Sequence, residues 1–178
     1  RDSDHTLPAP PLKESSNSNF GLLVAFIVPG FTALWGASYF SPTLAAWLGG
    51  TAHDAPTVGG FLYVTIASIA VGLTVSTVRW AIIDSIHHAT GVRKPPWDFS
   101  RLDTRVAAYG VLIECRYRYY QFYANMIVAC AVLYVASHLQ GGFFSGWIGL
   151  KDLGFVLLEA TFFAGSRDTL RAYYERGS

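Results

Sequence analysis

Charged side chains are scarce in this chain. Asp, Glu, Lys and Arg make up 14% of its 178 residues, whereas a soluble domain usually carries about 25%. Hydrophobic residue types reach 52%, and the formal net charge is only +1. This balance gives no sign of a polyelectrolyte partner and favours a membrane protein, with membrane lipids as its surroundings.

Sequence motifs that carry chemistry are also missing. The chain contains no GxSxG, HExxH, Walker or GxGxxG pattern. Its two cysteines, Cys115 and Cys130, fall in one predicted helical stretch and are too far apart to form a disulfide. The sequence therefore gives no positive indication of an enzyme or of a cofactor.

Long apolar runs dominate what is present. They cover residues 20–40, 61–80, 119–139 and 150–166. About 21 helical residues span roughly 31 Å, the thickness of a bilayer core, and a signal peptide's apolar region is shorter. The last run is short for a full crossing. We predict an all-α membrane bundle of four transmembrane helices over residues 20–178.

The segments outside these runs complete the predicted domain organisation. Residues 1–19 are polar and rich in Pro and Ser, which predicts a flexible tail. Residues 81–118 contain Pro95-Pro96 and a capping-box pattern at Ser100–Asp103, which predicts a helical hairpin between the second and third spans. Residues 167–178 form a short basic C-terminal tail.

Basic residues are distributed unevenly among the connections. The 41–60 connection has no Lys or Arg, whereas the 79–118 stretch has seven and the C-terminal tail has three. The positive-inside rule places the hairpin and the C-terminus in the cytoplasm, and four spans then place the N-terminus there too.

The basic residues are also candidate contacts for anionic lipid headgroups or a protein partner. Acidic residues interrupt the hairpin's basic stretch, which argues against nucleic-acid binding. The candidate contact residues are Arg93, Lys94, Arg101, Arg105, Arg116, Arg118, Arg167 and Arg171.

Glu159 is the one carboxylate between Gly154 and Gly165, the uninterrupted apolar part of the fourth run. An ionised acid at mid-membrane depth costs at least about 2.5–3.5 kcal/mol, so we expect Glu159 to face other helices or water. It is either a protonated hydrogen-bonding group that packs helices together or an ion- or proton-coupling carboxylate. Asn125, at a similar predicted depth in the third run, is its candidate partner.

Two further patterns lie on the second span and its continuation. Ser68, Gly72 and Ser76 form a small-residue stripe that lets another helix approach closely, in this chain or in a second copy. Asp84, His87 and His88 share a helical face and are a candidate metal site. Adjacent histidines point about 100° apart on a helix, however, which disfavours binding one ion through both.

These features leave two expected functions from different classes. The first is a small membrane subunit that self-associates, or anchors a membrane or cytoplasmic protein partner through the hairpin and the C-terminal tail. The alternative is an oligomeric pore, effector channel or proton-coupled transporter that uses Glu159.

Overall fold

The computed structural model describes residues 12–49, 58–96, 110, 113–141 and 149–177. These residues are almost entirely helical and contain no strand, which confirms the all-α prediction. The helices are α1 (Leu12–Ser38), α2 (Pro42–Gly49), α3 (Val58–Arg79), α4 (Ser85–Ala89), α5 (Arg118–Gly141) and α6 (Leu150–Gly177). Two π-helical turns, Trp80–Asp84 and Ile113–Tyr117, precede α4 and α5.

Helix bounds differ from the predicted segments at both ends of the chain. Helix α1 begins at Leu12, inside the predicted flexible tail, and α6 runs on to Gly177 through the predicted C-terminal tail. A helix that is already nucleated propagates at little cost per residue, so polar sequence flanking an apolar run joins the helix. The predicted capping box and the tip of the hairpin lie outside the described residues.

Two helical stretches are long and apolar enough to cross a membrane. They are Gly59–Ala89, of 31 residues, and Arg118–Gln140, of 23 residues. The apolar stretch of α1, Leu23–Ser38, is shorter. These stretches contain the predicted second and third spans, while the four-span arrangement stays a prediction.

Helix α1 packs along both α3 and α5, and α6 packs along α5. A Cβ on Gly30 would collide with the carbonyl oxygen of Ser68, and one on Gly72 with that of Phe26, so α1 and α3 touch backbone to backbone. Gly36 meets the α5 backbone at Leu133 in the same way. Glycine at these positions is what permits the close approach.

The bundle has two unlike ends. The α4 end contains α4, the start of α5 and the last part of α6, and it holds the larger buried cluster: Ile83, Val92, Tyr120, Ala124, Leu170 and Tyr173. At the opposite α2 end, Trp47 of α2 stacks on Tyr63 of α3 at 6.3 Å. Exposed Trp80 is the first residue of the π-helical turn after α3, near the α4 end, and lies about 26 Å along the helix from Tyr63 at 1.5 Å per residue.

Candidate functional site

A buried ion pair lies at the π-helical turn that ends α3. Arg79 Nη1 is 3.2 Å from Asp84 Oδ1, with the two side chains 5% and 17% exposed. Residues five apart diverge on an α-helix, whereas the i→i+5 bonding of a π turn brings them to one side. The Tyr120 hydroxyl of α5 donates to the same carboxylate oxygen, and the Arg79 guanidinium lies 5.2 Å from the centre of the Tyr120 ring. These contacts fix α3 against α5.

His87 lies fully buried beside this ion pair. Its Nε2 is 2.9 Å from Ser166 Oγ of α6, and its ring stacks on Phe163 at 4.9 Å. Ser166 donates its own proton to the Phe163 carbonyl at 2.9 Å, so His87 Nε2 is the donor of the His–Ser bond. A histidine that donates to a serine does not activate it as a nucleophile, and neither side chain is exposed. The pair therefore connects helices and does not form a catalytic dyad.

Two more contacts join the chain after α4 to the last part of α6. Arg167 donates to the Thr90 hydroxyl at 2.6 Å and to the Thr90 carbonyl at 2.7 Å. His88 Nε2 is 3.3 Å from the Tyr174 hydroxyl. Burial raises the pKa of Tyr174, so its phenol stays protonated at neutral pH. The start of the hairpin and the C-terminal half of α6 thus form one surface.

The candidate metal ligands do not converge. Asp84 accepts from Arg79 and Tyr120, His87 pairs with Ser166, and His88 approaches Tyr174. Within the described part of the chain, no group of three or more His, Cys, Asp or Glu side chains is arranged to hold a metal ion. The hundred-degree separation of neighbouring helical residues accounts for the different directions of the two histidines.

Glu159 lies on the bundle side of α6, half-buried. It shares that side with Phe162, whose ring contacts Phe122 of α5, and with Ser166. Its Oε1 atom is buried and has no hydrogen-bond partner. The candidate partner Asn125 instead donates to the carbonyl of Ala25 in α1 at 2.9 Å.

The small-residue stripe has its neighbour within the same chain. Ser68 and Gly72 are buried against α1, and Ser76 is half-buried one turn further on. The Ser68 hydroxyl donates to the Val64 carbonyl of its own helix at 2.7 Å, so it presents no donor to a second copy. This stripe is therefore occupied by α1.

Some candidate contact residues gather at the α4 end. Arg93, Arg167 and Arg171 line one cleft with Tyr174 and Glu175. Exposed Lys94 is next in sequence to Arg93 but does not line it, and the Arg118 side chain lies against Gly21 of α1. Arg116 lies half-buried in the π turn before α5, and Arg101 and Arg105 lie outside the described residues.

Sequence reasoning missed four residues that organise this end of the bundle: Arg79, Tyr120, Ser166 and Tyr174. One signal was available for the first, because Arg79 closes an apolar run five residues before Asp84, a π-turn spacing. Nothing in the sequence pairs Ser166 with His87. Comparison with known proteins adds no family, since no family model, curated protein or solved structure matches the chain.

Proposed function

We propose that the chain is a four-span integral membrane protein that serves as an interaction or anchoring subunit and self-associates through α6. Its surface supports a membrane setting, because large apolar side chains stay exposed on all four long helices. A soluble monomer rarely exposes so much contiguous apolar area. Exposed tryptophans near both ends of the bundle, Trp47 and Trp80, fit two interfacial belts.

Charge gives the proposed orientation. The described basic residues of the hairpin and of the last part of α6 lie at the α4 end, whereas Lys151 lies at the α2 end. The positive-inside rule then puts the α4 end in the cytoplasm, with both termini on that side. The joined surface of the hairpin and α6 would face cytoplasmic partners.

The observation that carries self-association is the uncovered outer face of α6. We call this face the α6 stripe: Leu153, Leu157, Ala160 and Ala164, at helical spacings of four, three and four residues. All four are exposed, with Leu153 at 52% and Leu157 at 60%. Exposed Ala160 and Ala164 form a small-xxx-small pair that lets a second helix approach closely.

The short apolar length of α6 gives a second reason. Between Asp152 and Arg167 it offers about 14 residues, roughly 21 Å, against a hydrocarbon core of about 30 Å. Helices too short for their bilayer adapt by thinning it or by associating. A second copy packed on the α6 stripe would reduce the perimeter along which the lipid must deform.

Disulfide cross-linking in native membranes tests this proposal. Cysteine is placed at Ala160 in a chain whose Cys115 and Cys130 are replaced by alanine, and a mild oxidant is added. A disulfide needs Cα atoms within about 7 Å, so A160C should give covalent dimers. The matched control is L73C, at a site on α3 that is also exposed (54%), which should remain monomeric.

Equal cross-linking at both positions would indicate random collision and contradict the proposal. A monomeric A160C chain, combined with monomeric photobleaching steps for the wild type at low density, would also remove it. Membrane insertion is scored separately in the same sample by resistance to carbonate extraction.

A second candidate function, an ion or proton conduit, is favoured by Glu159. A carboxyl oxygen buried at mid-depth without a hydrogen-bond partner is a group that could bind a proton or cation. The other fully buried polar side chains near the centre of the bundle, Asn125 and Ser68, already donate to carbonyl oxygens. The Oδ1 atom of Asn125, like Oε1 of Glu159, is buried without a hydrogen-bond partner among the described residues, so both are polar groups that a conduit could use.

Flux through liposomes containing the purified protein tests the conduit. The conduit requires proton or ion flux in the wild type that Glu159→Gln changes and that Glu175→Gln, outside the apolar run, leaves alone. Absence of flux at the protein density where dimers form would leave the anchoring function as the sole candidate.

A further inference from the structure

A basic cleft of about 290 Å³ lies at the α4 end, between the turn after α4 and the last part of α6. Arg93 comes from the turn, and Arg167, Arg171, Tyr174 and Glu175 come from α6. The cleft is outside the ion pair of Arg79 and the buried His87–Ser166 pair.

We propose that this cleft binds a phosphate monoester group, carried either by an anionic lipid headgroup or by a soluble phosphoester. The lipid version rests on the membrane placement proposed above, whereas the recognition chemistry does not. Guanidinium groups bind phosphate through parallel charge-assisted hydrogen bonds, which makes arginine the usual residue for such sites.

The charge of the cleft suits a dianion. Three guanidinium groups face one carboxylate, and that carboxylate is already paired, since Arg171 Nε is 2.8 Å from Glu175 Oε1. Neither Arg93 nor Arg167 forms a salt bridge with a carboxylate of the described residues. The positive charge left in the cleft is larger than the negative charge of one carboxylate. A phosphate dianion therefore fits the cleft better than an acidic side chain does.

The cleft is pre-organised on both walls. Arg167 spends two of its five N–H donors on Thr90, which fixes the plane of its guanidinium and leaves donors for a ligand. Arg93 follows Val92, which is buried and whose N–H donates to the His87 carbonyl at 3.0 Å. Gly91 makes the turn possible with a φ of 101°, a conformation that other residues rarely adopt. The backbone on both walls and the Arg167 guanidinium are therefore ordered before a ligand binds.

The position of the cleft fits a headgroup. Arg167 follows directly after the apolar part of α6, so the cleft lies at the depth where a lipid phosphate would sit if α6 crosses the bilayer. The Tyr174 ring also lines the cleft, beside the arginines.

Calorimetric titration of the full chain in uncharged detergent tests the proposal. The titrants are dioctanoyl phosphatidic acid, dioctanoyl phosphatidylcholine, inorganic phosphate and a glutamate-rich peptide. The test variant is R93Q/R171Q, which removes two lining charges at exposed positions and spares the structural Arg167. The control is K94Q/R176Q, which removes the same charge from neighbouring exposed positions that do not line the cleft.

The expected result is binding of phosphatidic acid but not of phosphatidylcholine, weakened at least about tenfold in R93Q/R171Q and less than about twofold in the control. Inorganic phosphate that binds with similar affinity would identify a soluble phosphoester as the source, and much weaker binding would identify a lipid. An equal loss in both variants, or tighter binding of the peptide, would overturn the proposal. Because the titration is done in detergent, it can succeed even where membrane insertion fails.

Discussion

At the α4 end, the free energy of unfolding depends on a nearly buried charge, that of Arg79. Arg79 is nearly buried at the end of an apolar helix, and among the described residues Asp84 and Tyr120 compensate its charge. Removing one partner of such a pair leaves an unpaired charge in a poorly solvated place, which costs far more than the pair itself contributes.

We predict that Asp84→Asn lowers the free energy of unfolding by about 3 kcal/mol, because Arg79 then lacks its counter-ion. Thermal unfolding in detergent measures this effect. Glu175→Gln breaks the exposed ion pair with Arg171, which has a shorter N–O distance of 2.8 Å, and should change stability by less than about 0.5 kcal/mol.

An equal loss of unfolding free energy in Asp84→Asn and Glu175→Gln would show that the burial of Arg79 does not increase the contribution of its ion pair. A double variant, Arg79→Met with Asp84→Leu, should recover much of the stability lost by Asp84→Asn, since no buried charge remains.

The apolar sequence around Glu159 predicted that this acid faces the other helices or water. It did not predict which side chains lie opposite Glu159. The cost of exposing Glu159 to lipid is a local property, and its half-buried position on the bundle side agrees with it. Which side chain lies opposite depends on helix rotation and register. The Asn125 amide donates to the carbonyl of Ala25 in α1. A comparison of predicted depths along the apolar runs could not identify this contact.

At the scale of elements, glycines determine which helices touch. The Ser68/Gly72/Ser76 stripe was recognisable from its spacing, because small residues recur every four positions. Its partner was not recognisable, since no such spacing in the sequence marks Gly30 of α1 as the complementary position. The outcome is packing of this stripe against α1 within one chain, which is why the proposed self-association uses α6.

We predict that Gly72→Ala destabilises the protein by about 1–3 kcal/mol, because the new methyl group collides with the Phe26 carbonyl and forces α1 and α3 apart. Urea or thermal unfolding in detergent measures the loss. Gly154→Ala is the control, since nothing lies within 4 Å of its Cβ position and alanine favours helix by about 1 kcal/mol. Destabilisation of both to the same degree would contradict close α1–α3 packing.

The C-terminal part of α6 packs into the larger buried cluster at the α4 end. Leu170 and Tyr173 belong to the larger buried cluster, together with Ile83 and Tyr120. The basic composition of residues 167–178 indicated only a short tail, because the three- and four-residue spacing of a few buried side chains is hard to see among charges.

We predict that Leu170→Ala costs about 2–5 kcal/mol of unfolding free energy, as expected for a buried leucine. Exposed Arg176→Ala, in the last turn of the same helix, should change stability by less than about 0.5 kcal/mol. Tryptophan fluorescence during thermal unfolding reports both values. A small effect of Leu170→Ala would mean that this end of α6 detaches from the cluster in solution.

At the scale of the whole molecule, the surface of the bundle fits a membrane that surrounds its middle. The exposed apolar side chains, the exposed tryptophans near both ends and the basic residues at the α4 end fit the proposed membrane slab with two different faces. Self-association through the α6 stripe and a headgroup in the basic cleft both presuppose this slab. Placement of the bundle in a membrane is therefore the property to test first.

Cysteine accessibility in sealed membrane vesicles tests that claim most directly. Single cysteines are placed at Trp47 in α2, at Val132 in the middle of α5 and at Arg176 near the end of α6, in a chain without Cys115 and Cys130. With a membrane-impermeant maleimide, the account predicts labelling of R176C from the cytoplasmic side only, labelling of W47C from the opposite side only, and no labelling of the exposed V132C until detergent is added. Labelling of V132C in intact vesicles, or of W47C and R176C from the same side, would contradict the account.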